Sequence, residues 1–285
     1  MTAYMDHKNL ANESIDETRA RQIADGVHRV LDGIAAAEQA SGRAVGEVRL
    51  LAATKTRDVG EIMAAIDAGV RMIGENRPQE VEVKAAGLAR LCARRGFALG
   101  ADALARDAVA DASDAGTDLP DPLAPLPFHL IGQLQSNKIN KVLPAVTAIE
   151  SVDSLDLAAK IARRAVTHGV SVGVLLEVNE SGEESKSGCD PAAAHDLACA
   201  IAQLDGVRLE GLMTIGAHVD DEATIRRGFA HLRATRDAVL ASGEPGTADC
   251  RELSMGMTGD MAIAIDEGST IVRVGTAIFG PRAFI

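Results

Sequence analysis

Tryptophan is absent from this chain, and tyrosine occurs once, at Tyr4. With only five phenylalanines, the core must be built from Ala, Val, Leu and Ile. Cysteine is also sparse. Cys92, Cys189, Cys199 and Cys250 form no CxxC pair and stand at no metal-like spacing from histidine, so they read as reduced, partly buried thiols. No run approaches the ~18 apolar residues of a membrane helix. The opening MTAYMDHKNLANESIDETRARQ has no apolar h-region and does not read as a secretory signal. Basic residues are outnumbered 41 to 29, a net charge of −12. That argues against nucleic acid or an anionic membrane as the main partner, because both call for a basic face. These absences leave a cytoplasmic globular protein.

What is present fits that class: 47% hydrophobic and 25% charged residues in a 285-residue chain. Residues 1–14 read as a loose tail. Residues 15–41 carry Ile23, Val27, Val30, Leu31 and Ile34 at helical spacing, which predicts an amphipathic helix. Short β-branched runs then alternate with helical stretches. The predicted strands are 48–54, 71–76, 128–133, 148–153, 171–179, 207–216, 250–256 and 270–280. Helices are predicted over 59–69, 154–169, 190–206 and 222–242, several ending in glycine. Eight strands alternating with helices indicate parallel α/β, and the count fits a (β/α)8 TIM-type barrel with an extra N-terminal helix. A doubly wound open sheet is the alternative, weakened by the lack of GxGxxG after the first strand. The chain reads as a single domain over 1–285. Residues 96–127, rich in Ala, Asp, Gly and Pro, read as an insertion making a mobile surface excursion.

In such a barrel, function sits at the C-terminal strand ends. The first strand, within VRLLAATKTRDVG, ends at Lys55. Alternation puts Leu51, Ala53 and Lys55 on one face. If the first two face inward, the ammonium enters the barrel mouth, where partial desolvation lowers an amine's pKa and suits it to attack a carbonyl. The competing reading is a strand-end lysine reaching water. The segment LSMGMTGDMAIAIDEG (253–268) places a serine and a small-residue turn before a helix, and RVGTAIFG (273–280) adds Gly275-Thr276. Loops after strands seven and eight of barrels often bind phosphate, although capping by Thr258 or Asp260 would explain the first segment equally. A lysine plus a phosphate site suggests a phosphorylated carbonyl ligand such as pyridoxal 5′-phosphate (PLP).

These residues carry a resemblance. AATKTR (52–57), IGENRPQE (73–80), FHLIGQLQSNK (128–138), VNESGEESKSG (179–188), GLMTIG (211–216), LSMGMTGDMAIAI (253–265) and VRVGTAIFG (272–280) occur in order. In these the chain resembles the pyridoxal phosphate homeostasis protein family, whose barrel is similar to the N-terminal domain of alanine racemase. The resemblance runs from about residue 20 to the C-terminus, apart from 88–127. It implies that Lys55 forms an internal aldimine with PLP. It implies that Ser254, Gly275 and Thr276, with backbone around Met255 and Gly256, hold the phosphate, and that Arg273 faces the pyridine nitrogen. Asn76, His129 and Met213 would line the cofactor's surroundings. Lys186 reads as a solvated loop lysine. Two departures lie near the site: Arg77 stands where the family has an aromatic, and Phe128-His129-Leu130 replaces Trp-His-Phe.

An arginine beside the pyridine nitrogen disfavours its protonation and makes the ring a poorer electron sink. The tyrosine base of alanine-type racemases has no counterpart, because Tyr4 lies in the tail. The reading is therefore a PLP homeostasis protein or carrier without efficient turnover, with apo PLP-dependent enzymes as candidate recipients. The alternatives are a fold-type III PLP enzyme such as an amino-acid racemase, a Schiff-base aldolase, and a non-catalytic interaction protein.

Overall fold

The computed structural model describes residues 9–114, 122–183, 187–217, 219 and 221–281. The chain begins with α1 (Glu17–Ala40), β1 (Arg49–Ala53), α2 (Val59–Asp67), β2 (Ile73–Glu75) and α3 (Pro78–Ala93). It continues through β3 (Phe97–Leu99), α4 (Asp102–Asp114), β4 (Ala124–Leu126), β5 (Phe128–Leu130), α5 (Ile139–Val142) and β6 (Ala148–Val152). Then come α6 (Leu155–Thr167), β7 (Val172–Glu177), α7 (Ala194–Ala202), β8 (Val207–Met213) and α8 (Glu222–Ala241). The last elements are β9 (Glu252–Ser254), α9 (Met261–Asp266), β10 (Ile271–Val274) and α10 (Thr276–Phe279).

Eight parallel strands close a barrel in the order β1-β10-β9-β8-β7-β6-β5-β2. This is the (β/α)8 architecture expected from the alternation of runs, and each predicted strand contains one barrel strand. The helices start where short polar side chains can take up free amides. Asp16, Ser154 and Asp221 cap α1, α6 and α8, and Asp58 with Glu61 forms a capping box at α2. The aliphatic core lies between the strands and the helix ring, with Ile23, Val27, Ile62, Leu88, Phe128, Ile161 and Phe229 buried in it. Among the described residues, no helix is long and apolar enough to cross a membrane.

Two expectations need correction. The 96–127 segment is not simply an excursion: β3 and β4 pair in parallel around α4, and Leu99 and Leu126 are 1% exposed. They join the main core because β3 packs against α3 and β4 pairs with β3 rather than standing off the barrel. Residues 115–121 lie outside the described residues. The tail is likewise attached over residues 9–14. Leu10 is buried, and the amides of Val59 and Gly60 donate to Leu10 O and Asn12 O. Leu10 supplies the apolar anchor that a polar tail needs in order to dock.

Candidate functional site

Register fixes which side chains enter the barrel. Leu51 pairs with Arg273, Ala53 with Gly74, Gly74 with His129, and Glu177, Met213 and Ser254 lie level on consecutive strands. A Cβ on Gly74 would lie 2.5 Å from Leu51 Cδ2, so both point inward. Part of the interior is apolar, with Leu51, Met72 and Ile271 packed together beside Ile131. The rest is a polar group held by four strands.

Glu150 on β6 is the centre of that group. Its Oε1 lies 2.7 Å from His129 Nδ1, and its Oε2 accepts from Ser254 Oγ at 2.6 Å. Arg273 on β10 donates from Nη1 to Ser254 Oγ at 2.6 Å and from Nη2 to Thr214 O at 2.8 Å. A buried carboxylate without partners would be forced to protonate. Here burial pushes the Glu150 carboxyl up, but the bond and charge of His129, the Arg273 charge and the Ser254 bond outweigh it, and its pKa falls below the usual range. Burial lowers the pKa of Arg273, opposed by the charges of Glu150, Asp260 and Glu177. Glu177 is less well served. Burial and the nearby Asp153 push it up to about 7, with Arg273 pulling the other way.

Lys55 stands in the turn two residues beyond the C-terminal end of β1 and is half-buried. Thr54 and Thr56 on either side are buried. Asn76, just past β2, is half-buried, and its carbonyl lies so close to Gly132 that a Cβ there would be 2.2 Å away. His129 and Met213 are buried, 5% and 1% exposed.

The candidate phosphate residues differ in what they can offer. Thr276 is exposed at the start of α10, and Gly275 precedes it half-buried. A Cβ on Gly275 would come within 3.1 Å of Ala53 O, so glycine keeps this wall of the mouth low. Gly256 has φ +96°, and a Cβ there would lie 2.6 Å from Ala264 Cβ. Ser254 is fully buried, and its hydroxyl is engaged by Glu150 and Arg273. Met255 sends its amide to Ile271 O at 3.1 Å and buries its side chain in the outer core, so its amide is already used by the sheet.

Sequence reasoning passed over Glu150 and Glu177. Both sit in otherwise apolar strands, AIESV and VGVLLE. A carboxylate at an inward position of a buried strand needs a partner or a purpose, and that signal could have flagged them. Arg77 caps α3 without a side-chain bond, its Nη1 4.0 Å from Glu80 Oε1. Lys186 lies outside the described residues. The buried Cys92, Cys189 and Cys250 are pushed up to about 12 by burial, which makes them unreactive thiols. Among the described residues no His, Cys, Asp and Glu cluster could hold a metal ion.

Comparison with known proteins gives this site a setting. Residues 34–283 match the family model of the alanine racemase N-terminal domain. The chain is 36% identical over 264 residues to the pyridoxal phosphate homeostasis protein of Vibrio cholerae, covering 93% of this chain and 98% of that one. It is 71% identical to a structurally characterised unknown protein from Bifidobacterium adolescentis, with TM-score 0.88 over 95% of this chain and all of that one. PipY of Synechococcus elongatus PCC7942, solved with PLP bound, is 31% identical with TM-score 0.62, covering 87% of this chain and 100% of PipY. The chain therefore belongs to the pyridoxal phosphate homeostasis protein family, on the barrel of the alanine racemase N-terminal domain.

Proposed function

We propose that this protein binds PLP at the barrel mouth through Lys55 and serves intracellular PLP homeostasis or carriage rather than efficient turnover. The observation that carries the reading is Lys55 just past the C-terminal end of β1, above the level at which the inward Arg273 of the neighbouring β10 pairs with Leu51, in a chain related to PLP-bound PipY. The residues present fit the group: an amine at the mouth, a low glycine wall at Gly275 and a buried guanidinium deeper in the barrel. When bound, PLP supplies an aldehyde and an electron-withdrawing ring.

Lys55 Nζ would condense with the aldehyde carbon as a Schiff base, forming C=N and releasing water. Gly275, Thr276 and the Gly256 backbone are the candidate holders of the phosphate. Ser254 can join them only by giving up its bond to Glu150, and the Met255 amide is already committed to β10. Arg273 keeps its charge inside the barrel because Glu150 balances it, and a permanent cation there opposes ring protonation. Asn76, His129 and Met213 line the same mouth and interior. That environment favours holding the cofactor over stabilising carbanions. Apo PLP-dependent enzymes are the proposed recipients.

The test is an absorbance spectrum of PLP-treated protein from about 300 to 500 nm. A band near ~420 nm, bleached by borohydride and absent in Lys55→Ala, is expected. No band with excess PLP would overturn the reading. One observation favours a second reading, an amino-acid racemase or related enzyme. The buried His129 is oriented by Glu150 at 2.7 Å, as a proton-transfer base would be. Exchange of an amino acid's α-proton in deuterated water, lost in His129→Gln, would support it.

A further inference from the structure

Beneath the Lys55 turn, three ionisable side chains are buried together. Lys84 on α3 has no exposed surface. Its ammonium donates to Glu75 Oε1 at 2.6 Å, Glu80 Oε2 at 2.8 Å and Thr54 O at 3.1 Å. Glu75 and Glu80 are equally inaccessible. The same two carboxylates reach the residues on either side of Lys55. Thr54 Oγ1 donates to Glu75 Oε1 at 2.6 Å, and the Thr56 amide donates to Glu80 Oε2 at 2.8 Å.

The turn itself is unusual. Arg57 N donates to Thr54 O at 3.0 Å, which puts Lys55 and Thr56 at its centre. Thr56 has φ 68°, and among the described residues it is the one non-glycine with a positive φ. That position of a turn ordinarily calls for glycine, and a β-branched residue takes it only when its surroundings impose it. The imposed contact is the bond from the Thr56 amide to Glu80.

An ordinary i,i+4 helix pair would explain Glu80 with Lys84. It would not explain the complete burial, the recruitment of Glu75 from β2 or the two ties to the turn. Buried ion clusters are also poor stabilisers compared with apolar packing. The proton count adds a further constraint. One ammonium and two carboxylates would leave a net negative charge buried. Glu75 Oε2 and Glu80 Oε1 lack a hydrogen-bond partner among the described residues. A proton kept on one of the two carboxyls removes that charge. Burial holds Glu75 up to about 7 against the pull of Lys84, whereas Lys84 overcomes the burial of Glu80 and keeps it below the usual range. The proton belongs on Glu75, and the cluster is then neutral. Arg77, 4.0 Å from Glu80 Oε1, adds a half-exposed positive charge on the anionic side.

We infer that Lys84, Glu75 and Glu80 are positioning residues for Lys55: a buried triad that pins Thr54 and Thr56 and so sets where the Lys55 amine projects. The inference rests on the reading of Lys55 as the PLP attachment point, but the triad's hold on the turn can be measured without PLP. Glu80→Gln and Lys84→Met remove charge from the triad. Glu75→Gln replaces a protonated carboxyl with a neutral amide that can still accept from Thr54 and Lys84.

Amide exchange at Thr56 and the pH midpoint for reductive methylation of Lys55 are read in each protein, with PLP affinity read separately. Exchange at Thr56 is expected to quicken at least about tenfold in Glu80→Gln and Lys84→Met while barrel amides stay protected, and to stay within about twofold of wild type in Glu75→Gln. The methylation midpoint should move in the first two variants, and PLP affinity should fall with it. If both charge variants fail to fold, the near-isosteric Thr54→Val removes one tie and is expected to shift the same two readouts in the same direction. Unchanged Thr56 exchange and Lys55 midpoint in folded variants would overturn the inference. So would Glu75→Gln matching Glu80→Gln in severity. Absence of PLP binding in the wild type would instead overturn the function proposed above, leaving the triad to be judged on exchange and methylation alone.

Discussion

Glu177 is the inward carboxyl with the least help: it is 3% exposed, and burial with the Asp153 charge pushes it up to about 7 while Arg273 pulls it down. The consequence for stability has a definite sign. Between the ordinary glutamate pKa of about 4.3 and about 7, the unfolded chain has lost this proton while the folded chain keeps it. The folded state therefore binds more protons, and the Glu177 contribution to stability falls as pH rises through that window, then levels off. Glu177→Gln removes the penalty. It is expected to stabilise the protein by about 1–3 kcal/mol at pH 8 and by less than half as much at pH 5. Urea unfolding at the two pH values checks it, and an equal gain at both would show that Glu177 is not the titrating group. At this scale the sequence was only partly legible. Lys55 stood out because a charge closing an apolar run needs a reason. Glu150 and Glu177 did not, because the reason for a buried charge lies on other strands. His129, Ser254 and Arg273 are distant from Glu150 in sequence and meet it only once the barrel closes. Lys84 was hidden differently, since Glu80 and Lys84 at i,i+4 look like any solvated helix pair.

Among elements, β3, α4 and β4 show what pattern reading misses. The barrel strands were legible because each contains a β-branched or aliphatic run bounded by turn residues. β3 and β4 are three residues each, FAL and APL, and β4 contains Pro125. Proline suits an edge or a short pairing and removes the usual strand signature. What makes these residues an element is burial: Leu99 and Leu126 are 1% exposed within the main core. Leu126→Ala is therefore expected to cost about 2–4 kcal/mol in urea unfolding. A residue on a loose excursion would change stability by less than about 0.5 kcal/mol, and that result would remove β4 from the core.

At the scale of the whole molecule, the seam where β1 meets β10 joins the two ends of the barrel, and α1 lies across it. α1 packs on α2, α9 and α10. Arg19 donates to Glu61 on α2 and to Phe279 O at 2.7 Å, and Arg57 donates to Gly280 O at 2.8 Å. α10 is a single turn too short to cover its share of the barrel, so α1 takes that place in the helix ring. Gly26 makes the fit possible: a Cβ there would lie 2.5 Å from Ile278 O. Gly26→Ala separates two accounts of α1 by sign. In an appended helix, alanine improves helix propensity, and the substitution should stabilise by about 0.5–1 kcal/mol. If α1 belongs to the closed ring, the added methyl meets backbone that cannot move without shifting α10. The change should then destabilise by about 1–3 kcal/mol in urea unfolding. Gly275 and Thr276 lead into α10, so that shift would also reach the proposed phosphate holders, and PLP should dissociate faster from Gly26→Ala than from the wild type. Loss of stability with unchanged PLP release would confine α1 to closing the ring and separate it from the site.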